Sequence, residues 1–132
     1  MKMNNKLIEM AKIALKKSYS PYSNFKVGAA LLCKDGSIFC GSNVECSTYG
    51  ATICAERAAI VKAVNSGKRE FLKIAVVSQN ENDFCYPCGI CRQMLAEFAC
   101  DIEVICAKPS GEYKAYRLNE LLPNSFNKEH LK

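Results

Sequence analysis

Two near-continuous apolar segments in the second half of the chain, separated by a helical pattern, constrain the fold more than any other feature. FLKIAVVS, residues 71–78, and IEVICAK, residues 102–108, both have the composition of buried strands. Residues 88–99 lie between them and have the pattern of a helix. Strands joined by a helix usually lie parallel in one sheet, with the helix packed on its face. We therefore expect an α/β fold built on a parallel or mixed sheet.

The segments on either side of this unit supply further strands and a second helix. Residues 25–45 contain two apolar runs around the turn residues 34–36, which predicts a β-hairpin. A helix is predicted from Cys54 to about Ser66, with Gly67 as its C-terminal cap. YKAYRL, residues 113–118, is predicted to form the last strand.

The N-terminal segment predicts a first helix. Asn4 or Asn5 is expected to cap its start, and Pro21 to end it. The resulting order, α-β-β-α-β-α-β-β, shows no linker, repeat or change in composition, so we expect one domain over residues 1–132. The prediction rests on apolar side chains at helical spacing: Leu7, Ile8, Ala11, Ala14 and Leu15.

Composition excludes several classes of protein. The net charge of +5 comes from scattered lysines, whereas a nucleic-acid surface needs a clustered basic stripe. No apolar run approaches the ~20 residues of a membrane span. The N-terminus alternates lysine with apolar residues and does not resemble a secretion signal. Nine cysteines in such a chain indicate a reducing compartment, the cytosol by default, where cysteine usually serves a metal or catalysis.

Three of the nine cysteines lie at predicted helix starts. Cys54 opens one helix, and Cys88 and Cys91 open the next within the sequence PCGIC. Backbone N–H groups and the positive end of the helix dipole favour a thiolate at such positions. The two-residue gap between Cys88 and Cys91 lets both sulfurs reach one metal ion. Three protein ligands and one open position are typical of a catalytic zinc site.

Two alternatives remain open for these cysteines. A C-x-x-C pair can be a redox motif, but this would not explain Cys54. Cys85 extends the motif to CYPCGIC and could complete a closed structural zinc site with four sulfurs. A structural site would leave Glu56, beside the Cys54 ligand, without a task.

The pattern C-A-E, followed about thirty residues later by P-C-x-x-C, resembles the signature of the zinc deaminases. More narrowly, the chain is similar to the small homotetrameric cytidine deaminases of nucleoside salvage. The resemblance implies a three-layer α/β/α sandwich around a mixed, mostly five-stranded sheet. Polynucleotide and tRNA-editing relatives normally carry His-x-Glu where this chain has C-A-E, which argues against them. The similar stretches occur in the family's order from Ser20 to Phe126: SPYSNFKVGAAL, NVE, CAERAAI, PCGICRQ and LLPNSF.

The resemblance implies hydrolysis of cytidine and 2′-deoxycytidine to uridine and 2′-deoxyuridine, with one Zn²⁺ per chain activating the attacking water. Glu56 would be the general acid and base that moves protons between water, N3 and the leaving ammonia. Arg57 would hydrogen-bond the ligand sulfurs and draw off their excess negative charge. The backbone N–H of Ala55 would contact the carbonyl oxygen of the base.

Three further residues are implied to bind the nucleoside. Asn43 and Glu45, in the sequence SNVE, are predicted to lie on the same side of a strand because alternate side chains share a face. In the family this pair holds the sugar 3′-hydroxyl, which would admit both cytidine and 2′-deoxycytidine. Phe25 resembles the aromatic residue that faces the pyrimidine. A core phenylalanine and a pair of surface polar residues are the alternative interpretations.

Two aromatic residues are implied to act between subunits of a homotetramer. Phe126 follows the last predicted strand, where no periodicity ties it to its own core. In the family this aromatic residue stacks on the pyrimidine bound by a neighbouring subunit, and Tyr49 is similar to a second residue at a subunit boundary. A local aromatic plug is the alternative for Phe126.

Two other functions compete with cytidine deamination. Blasticidin-type aminonucleoside deaminases share C-A-E and P-C-x-x-C, although NVE, Arg57 and the Phe126 ending favour cytidine. A zinc-stabilised binding module without catalysis is the second competitor, and Glu56 argues against it. The sequence leaves open the ranking of the two nucleosides and any metal or redox role of Cys85.

Overall fold

A five-stranded mixed sheet forms the middle layer of the structure, a computed structural model that describes residues 2–131. The strand order is β2-β1-β3-β4-β5; β3 and β4 are parallel and the other neighbours are antiparallel. The predicted mixed sheet of five strands is thus confirmed. The strands are β1 Val27–Cys33, β2 Ile38–Ser42, β3 Phe71–Ser78, β4 Glu103–Ala107 and β5 Tyr113–Arg117.

Helices cover both faces of the sheet and complete the predicted three layers. Helix α1, Lys2–Leu15, packs on one face against alternate side chains of β1 and β3. Helices α2, Ala55–Asn65, and α3, Gly89–Phe98, pack on the other face with the short helix α4, Leu118–Leu121. The two sets of strand residues alternate because successive side chains point to opposite faces of a sheet.

A glycine in β2 lets the start of α2 lie directly against the sheet. A Cβ atom at Gly41 would fall 2.4 Å from the carbonyl oxygen of Ala55 and 2.6 Å from the backbone nitrogen of Ala59. Both distances are far below van der Waals contact, so any side chain here would push the helix away. Gly41 therefore fixes the position of the helix end that carries Cys54 and Glu56.

The two helices beside the site begin and end close to the predicted residues. Cys54 is the N-cap of α2 and Cys88 is the N-cap of α3. Gly67 has a φ of +88° directly after α2, the left-handed conformation that terminates helices and that glycine adopts readily. The predicted helix cap at Gly67 is therefore confirmed.

Both predicted ends of α1 were wrong. The helix begins at Lys2, so neither Asn4 nor Asn5 caps it. Asn4 is instead buried inside the helix, where its amide donates to Glu103 (3.3 Å) and accepts from Lys73 (2.8 Å). At the other end α1 stops at Leu15, well before Pro21. An asparagine near a helix start resembles a cap in sequence, but here its side chain serves contacts to β3 and β4 that local patterning does not reveal.

The segment after β5 contains two short helical elements. Residues 118–121 form α4, and residues 128–131 form a 3₁₀ turn. Leu118 is buried in the core beside α3, which explains why the chain turns into a helix there. None of the helices within residues 2–131 has the length and apolar composition needed to span a membrane.

Candidate active site

The sulfur atoms of the three predicted ligands lie together where α2 and α3 begin. The Sγ atoms of Cys54 and Cys88 are 3.6 Å apart, and those of Cys88 and Cys91 are 3.4 Å apart. All three lie within 4.8 Å of one another. Because Cys54 and Cys88 precede their helices directly and Cys91 lies in the first turn of α3, the packing of two helices on one sheet face creates the cluster.

The geometry and chemistry of the cluster fit a zinc ion. Tetrahedral bonds of about 2.3 Å place two sulfurs about 3.8 Å apart, close to the observed spacings. The hydrogen bond shared with Cys91 lowers the pKa of Cys54 to about 5, and Arg57 adds to this effect. The contact with Cys54 and burial raise the pKa of Cys91. Cys54 thus favours the thiolate form in which sulfur binds zinc, and a metal would take the remaining sulfurs deprotonated as well.

Cys85 does not belong to the cluster. Among residues 2–131, the group of side chains whose ligand atoms lie close enough to share an ion contains the three predicted cysteines and not Cys85. Burial raises the pKa of the Cys85 thiol to about 12, which keeps it protonated. The arrangement therefore favours three sulfur ligands over a closed four-sulfur site.

Arg57 contacts the cluster from the first turn of α2. Its Nη2 atom donates to the carbonyl oxygen of Thr52 at 2.9 Å and to the Cys54 sulfur at 3.8 Å. Its Nε atom is buried and has no hydrogen-bond partner among the described residues. A guanidinium group held against a thiolate offsets negative charge.

Glu56 is buried directly beside the cysteines. Its exposed fraction is 3%, and it occupies the second position of α2. Burial raises the pKa of the carboxyl group to about 7, and the nearby Cys54 acts in the same direction. A carboxyl group with such a pKa can both accept and donate a proton near neutral pH.

A cavity of about 290 Å³ connects these groups to solvent. Cys54, Cys88 and Glu56 all line it, so a small molecule inside it would lie beside all three. The predicted residues Phe25, Asn43, Glu45 and Ala55 line the same cavity. Sequence reasoning did not anticipate the remaining lining residues: Ser23, Val27, Thr52, Cys85 and Tyr86.

The side-chain amide of Asn43 forms most of its hydrogen bonds with neighbouring residues of its own chain. Its Oδ1 atom accepts from the Ser18 hydroxyl (2.5 Å) and the Val27 backbone N–H (3.0 Å). Its Nδ2 atom donates to the Phe25 carbonyl oxygen at 2.8 Å. Because an amide nitrogen carries two hydrogens, one N–H remains for a ligand. Asn43 therefore also fixes the backbone that carries Phe25.

Glu45 also binds neighbouring residues of its own chain and carries a negative charge. Its Oε1 atom accepts the backbone N–H groups of Tyr22 (3.0 Å) and Ser23 (3.1 Å), and its Oε2 atom accepts the Ser23 hydroxyl. These bonds, with the Ser23 hydroxyl first, lower the pKa of the carboxyl group. β2 ends at Ser42, so this pair does not share a strand as predicted. Both side chains nevertheless bind the loop between residues 18 and 27.

The two predicted interface residues lie outside this cavity within their own chain. Tyr49 is 72% exposed in a 3₁₀ turn, with its ring 5.7 Å from that of Tyr22. Phe126 is 60% exposed, and one face of its ring stacks on His130 at 5.2 Å. Two large exposed rings are available to a second molecule.

Two residues that directly follow Cys91 have contacts that the sequence did not predict. The Nε and Nη1 atoms of Arg92 donate to the carbonyl oxygens of Pro87 (2.8 Å) and Leu121 (2.7 Å). The Nε2 atom of Gln93 donates to the carbonyl oxygen of Phe126 at 2.5 Å. The only signal in the sequence was their inclusion in the stretch PCGICRQ, which assigns them no role.

Comparison with known proteins gives a consistent result. Residues 1–108 match the family model described as the cytidine and deoxycytidylate deaminase zinc-binding region. A probable cytidine deaminase of Dictyostelium discoideum is 46% identical over 126 residues, which cover 96% of this chain and 85% of that protein. A cytidine deaminase of Sporosarcina psychrophila is 46% identical over 128 residues, with 96% and 93% covered. The crystal structure of a cytidine deaminase from Burkholderia pseudomallei superimposes with a TM-score of 0.88 at 45% identity, covering 92% of this chain and 97% of that one.

A blasticidin-S deaminase of Bacillus cereus is also similar, at 29% identity over 130 residues, with 92% of each chain covered. Its identity to this chain is well below that of the cytidine deaminases above.

Proposed function

Because the chain belongs to the cytidine and deoxycytidylate deaminase family, we propose that residues 1–132 form a single catalytic domain that deaminates cytidine and 2′-deoxycytidine. Water replaces the exocyclic amine, so that the products are ammonia and uridine or 2′-deoxyuridine. The observation that carries this proposal is that the buried residue Glu56 lines the same cavity as two of the three clustered cysteines.

Cys54, Cys88 and Cys91 would hold the metal, one zinc ion per chain. When bound, zinc supplies the Lewis acidity that makes water a nucleophile at neutral pH. Arg57 donates to the Cys54 sulfur and so offsets part of the negative charge that three thiolates bring to the ion.

Glu56 moves the protons. It accepts a proton from the attacking water and gives it to N3 of the pyrimidine. It then accepts a second proton, from the hydroxyl group formed at C4, and delivers it to the departing ammonia. Its pKa of about 7 suits this exchange, since a group that must both take and give a proton works best near the operating pH. Its burial also keeps bulk water from competing for the carboxyl group.

The cavity wall orients the nucleoside. Phe25 lies against the face of the pyrimidine, and the backbone N–H of Ala55, the first residue of α2, has no helical partner and donates to the base carbonyl. The free amide N–H of Asn43 and the charged carboxylate of Glu45 hold the 3′-hydroxyl. Recognition at the 3′-position accommodates both ribose and 2′-deoxyribose.

The assembly is a homotetramer with shared active sites. Phe126 and Tyr49 are largely exposed and lie outside their own chain's cavity, and in this proposal they complete the site of a neighbouring subunit. The physiological setting is pyrimidine salvage in the cytosol, a reducing compartment that keeps a cluster of three free cysteines available to zinc.

An absorbance assay tests the function. Purified protein loaded with zinc should convert cytidine and 2′-deoxycytidine, and a chelator followed by added zinc should abolish and then restore turnover. Blasticidin S serves as the competing substrate. Faster turnover of blasticidin S would assign the chain to the aminonucleoside enzymes, whereas zinc binding without turnover of any of the three would favour a binding module.

A further inference from the structure

The segment that carries Phe126 is attached to the helix of the metal ligands. Residues 122–131, here called the tail, follow α4 and are mostly exposed. Several of their hydrogen bonds stay within the tail, such as the bond from the Asn127 N–H to Nδ1 of His130 at 3.1 Å. Gln93 of α3 reaches out of the body of the protein and donates to the carbonyl oxygen of Phe126 at 2.5 Å.

The neighbouring residue secures the base of the tail. Arg92 donates to the carbonyl oxygen of Leu121, the last residue of α4, and to that of Pro87, which precedes the Cys88 ligand. Two consecutive side chains directly after Cys91 thus hold the tail at both ends of the short stretch that leads to Phe126. Side chains of α3 therefore hold this stretch in place, and α3 also carries Cys91 and begins directly after Cys88.

The ring of Phe126 is left in a defined orientation. One face stacks on His130, with the ring planes 16° apart, and the side chain is 60% exposed. The free face can therefore meet a planar group from outside the chain. Its direction depends on the backbone at Phe126, and the hydrogen bond from Gln93 holds that backbone.

We propose that Gln93 is a positioning residue for the substrate site: its amide holds the Phe126 carbonyl and thereby aims the ring at the pyrimidine in a neighbouring subunit. This inference rests on the proposed function, since it assigns a role through Phe126. Gln93 itself is not among the residues that line the cavity. Gln93 raises the fraction of time that the tail holds the Phe126 ring in the position that binds substrate. Its loss should therefore weaken substrate binding and raise KM.

A pair of variants separates the donor from the bulk of the side chain. Gln93→Glu keeps the size but removes the donor, and it should raise KM about two- to tenfold with little change in kcat. Gln93→Lys retains an N–H donor on a flexible stem and should restore KM to near the parent value. Glu97→Gln, an exposed change one turn further along α3, controls for helix charge. An unchanged KM in Gln93→Glu, or a Lys variant as impaired as the Glu variant, would overturn the proposal.

The double variant tests whether Gln93 acts through Phe126. In a Phe126→Ala background the Gln93→Glu change should have no further effect on KM, because the ring it positions is absent. If the KM of the double variant rose by the product of the two single increases, Gln93 would act independently of Phe126, and the assignment would be contradicted.

Tryptic cleavage after Lys128 measures the tail without reference to activity. Release of the Phe126 carbonyl should speed this cleavage in Gln93→Glu by about the factor seen in KM, since proteolysis follows the population of the open form. Equal cleavage rates in Gln93→Glu and the parent would show that the hydrogen bond from Gln93 does not hold the tail, even if the enzyme is active. If the parent failed to deaminate either nucleoside, the proposed function would fail, while the cleavage rates would still decide whether Gln93 holds the tail.

Discussion

The cysteine cluster and the two exposed aromatic residues proposed to complete a neighbouring subunit's site, here called the rim, are built in opposite ways. Cys91 and Glu56 are almost fully buried, at 0% and 3% exposure, and belong to helices packed on a five-stranded sheet. Tyr49 and Phe126 are 72% and 60% exposed and lie in a 3₁₀ turn and a C-terminal tail. Core packing fixes the first group, whereas the second is placed by a few hydrogen bonds and ring contacts.

This difference separates the chemical step from substrate affinity. Displacement of Cys91 or Glu56 requires repacking of the helix that carries it, so core packing holds these two groups in place. An exposed ring on a tail can move away while a nucleoside enters, at the cost of being ordered again when it binds. Changes in the cluster should therefore act on metal content and kcat, and changes at the rim on KM.

Loss of a cysteine ligand should have the largest effect. Cys54→Ala, Cys88→Ala or Cys91→Ala leaves two sulfurs for the ion, so zinc content after gel filtration and cytidine turnover should both fall to background. Cys85→Ala is the matched control, because Cys85 lines the cavity but lies outside the sulfur cluster. Loss of zinc from Cys85→Ala would show that four sulfurs close the site, and Cys85 would then belong to the cluster.

Removal of the proposed proton-transfer group should have the second largest effect. Glu56→Gln preserves size and polarity but cannot accept a proton, so kcat should fall by about 10²–10⁴-fold while zinc per chain stays at the parent level. Glu81→Gln, at an exposed carboxylate in the loop after β3, should leave both values unchanged. A Glu56→Gln enzyme within a few-fold of the parent would remove this residue from the mechanism.

The rim should respond in KM. Stacking on a base is worth ~1–3 kcal/mol, so Phe126→Ala should raise KM about ten- to a hundredfold with zinc content intact. Co-assembly of Phe126→Ala chains with Glu56→Gln chains tests the exchange between subunits. In mixed tetramers some sites combine an intact Glu56 with a partner's intact Phe126, and high-affinity activity should partly return. A fully active monomer, or proven mixed assembly without rescue, would contradict a shared site.

The sequence predicted the cluster better than the rim, because local patterns determine the helix starts whereas distant contacts hold Phe126. Strand and helix patterns placed Cys54 and Cys88 at helix starts within one residue, because short-range capping and periodicity determine those positions. Resemblance, and not patterning, identified Phe126. The hydrogen bond from Gln93 spans 33 residues of chain, and no local rule pairs a glutamine amide with a distant carbonyl group.

The wrong helix cap at Asn4 has the same origin. A cap is a local device, but the Asn4 side chain is satisfied by Glu103 and Lys73, far away in sequence. Likewise, α4 forms where Leu118 enters the core beside α3, which depends on the completed sheet. Contacts of high sequence separation are the part of this molecule that local sequence reasoning could not predict.

Arg57 should give the smallest effect, because it touches the cluster without ligating the metal. Its contact with the Cys54 sulfur is long, at 3.8 Å, and the same Nη2 atom also donates to the carbonyl oxygen of Thr52. Substitution of residues that support metal ligands typically costs about 10–100-fold in affinity or activity, and we expect Arg57→Gln to lie near tenfold in both zinc affinity and kcat. Competition with a chelator gives the first value and steady-state kinetics the second.

Arg57→Lys separates charge from shape in the same measurements. A lysine keeps the positive charge but cannot contact Thr52 and Cys54 through one planar group, so recovery of zinc affinity would identify electrostatics as the main contribution. Lys62→Gln removes a positive charge from the same helix, farther from the sulfurs, and should change neither value. If Arg57→Gln raised KM and left zinc affinity and kcat at parent values, Arg57 would belong with the rim. The buried and exposed parts of the site would then not divide chemistry from affinity.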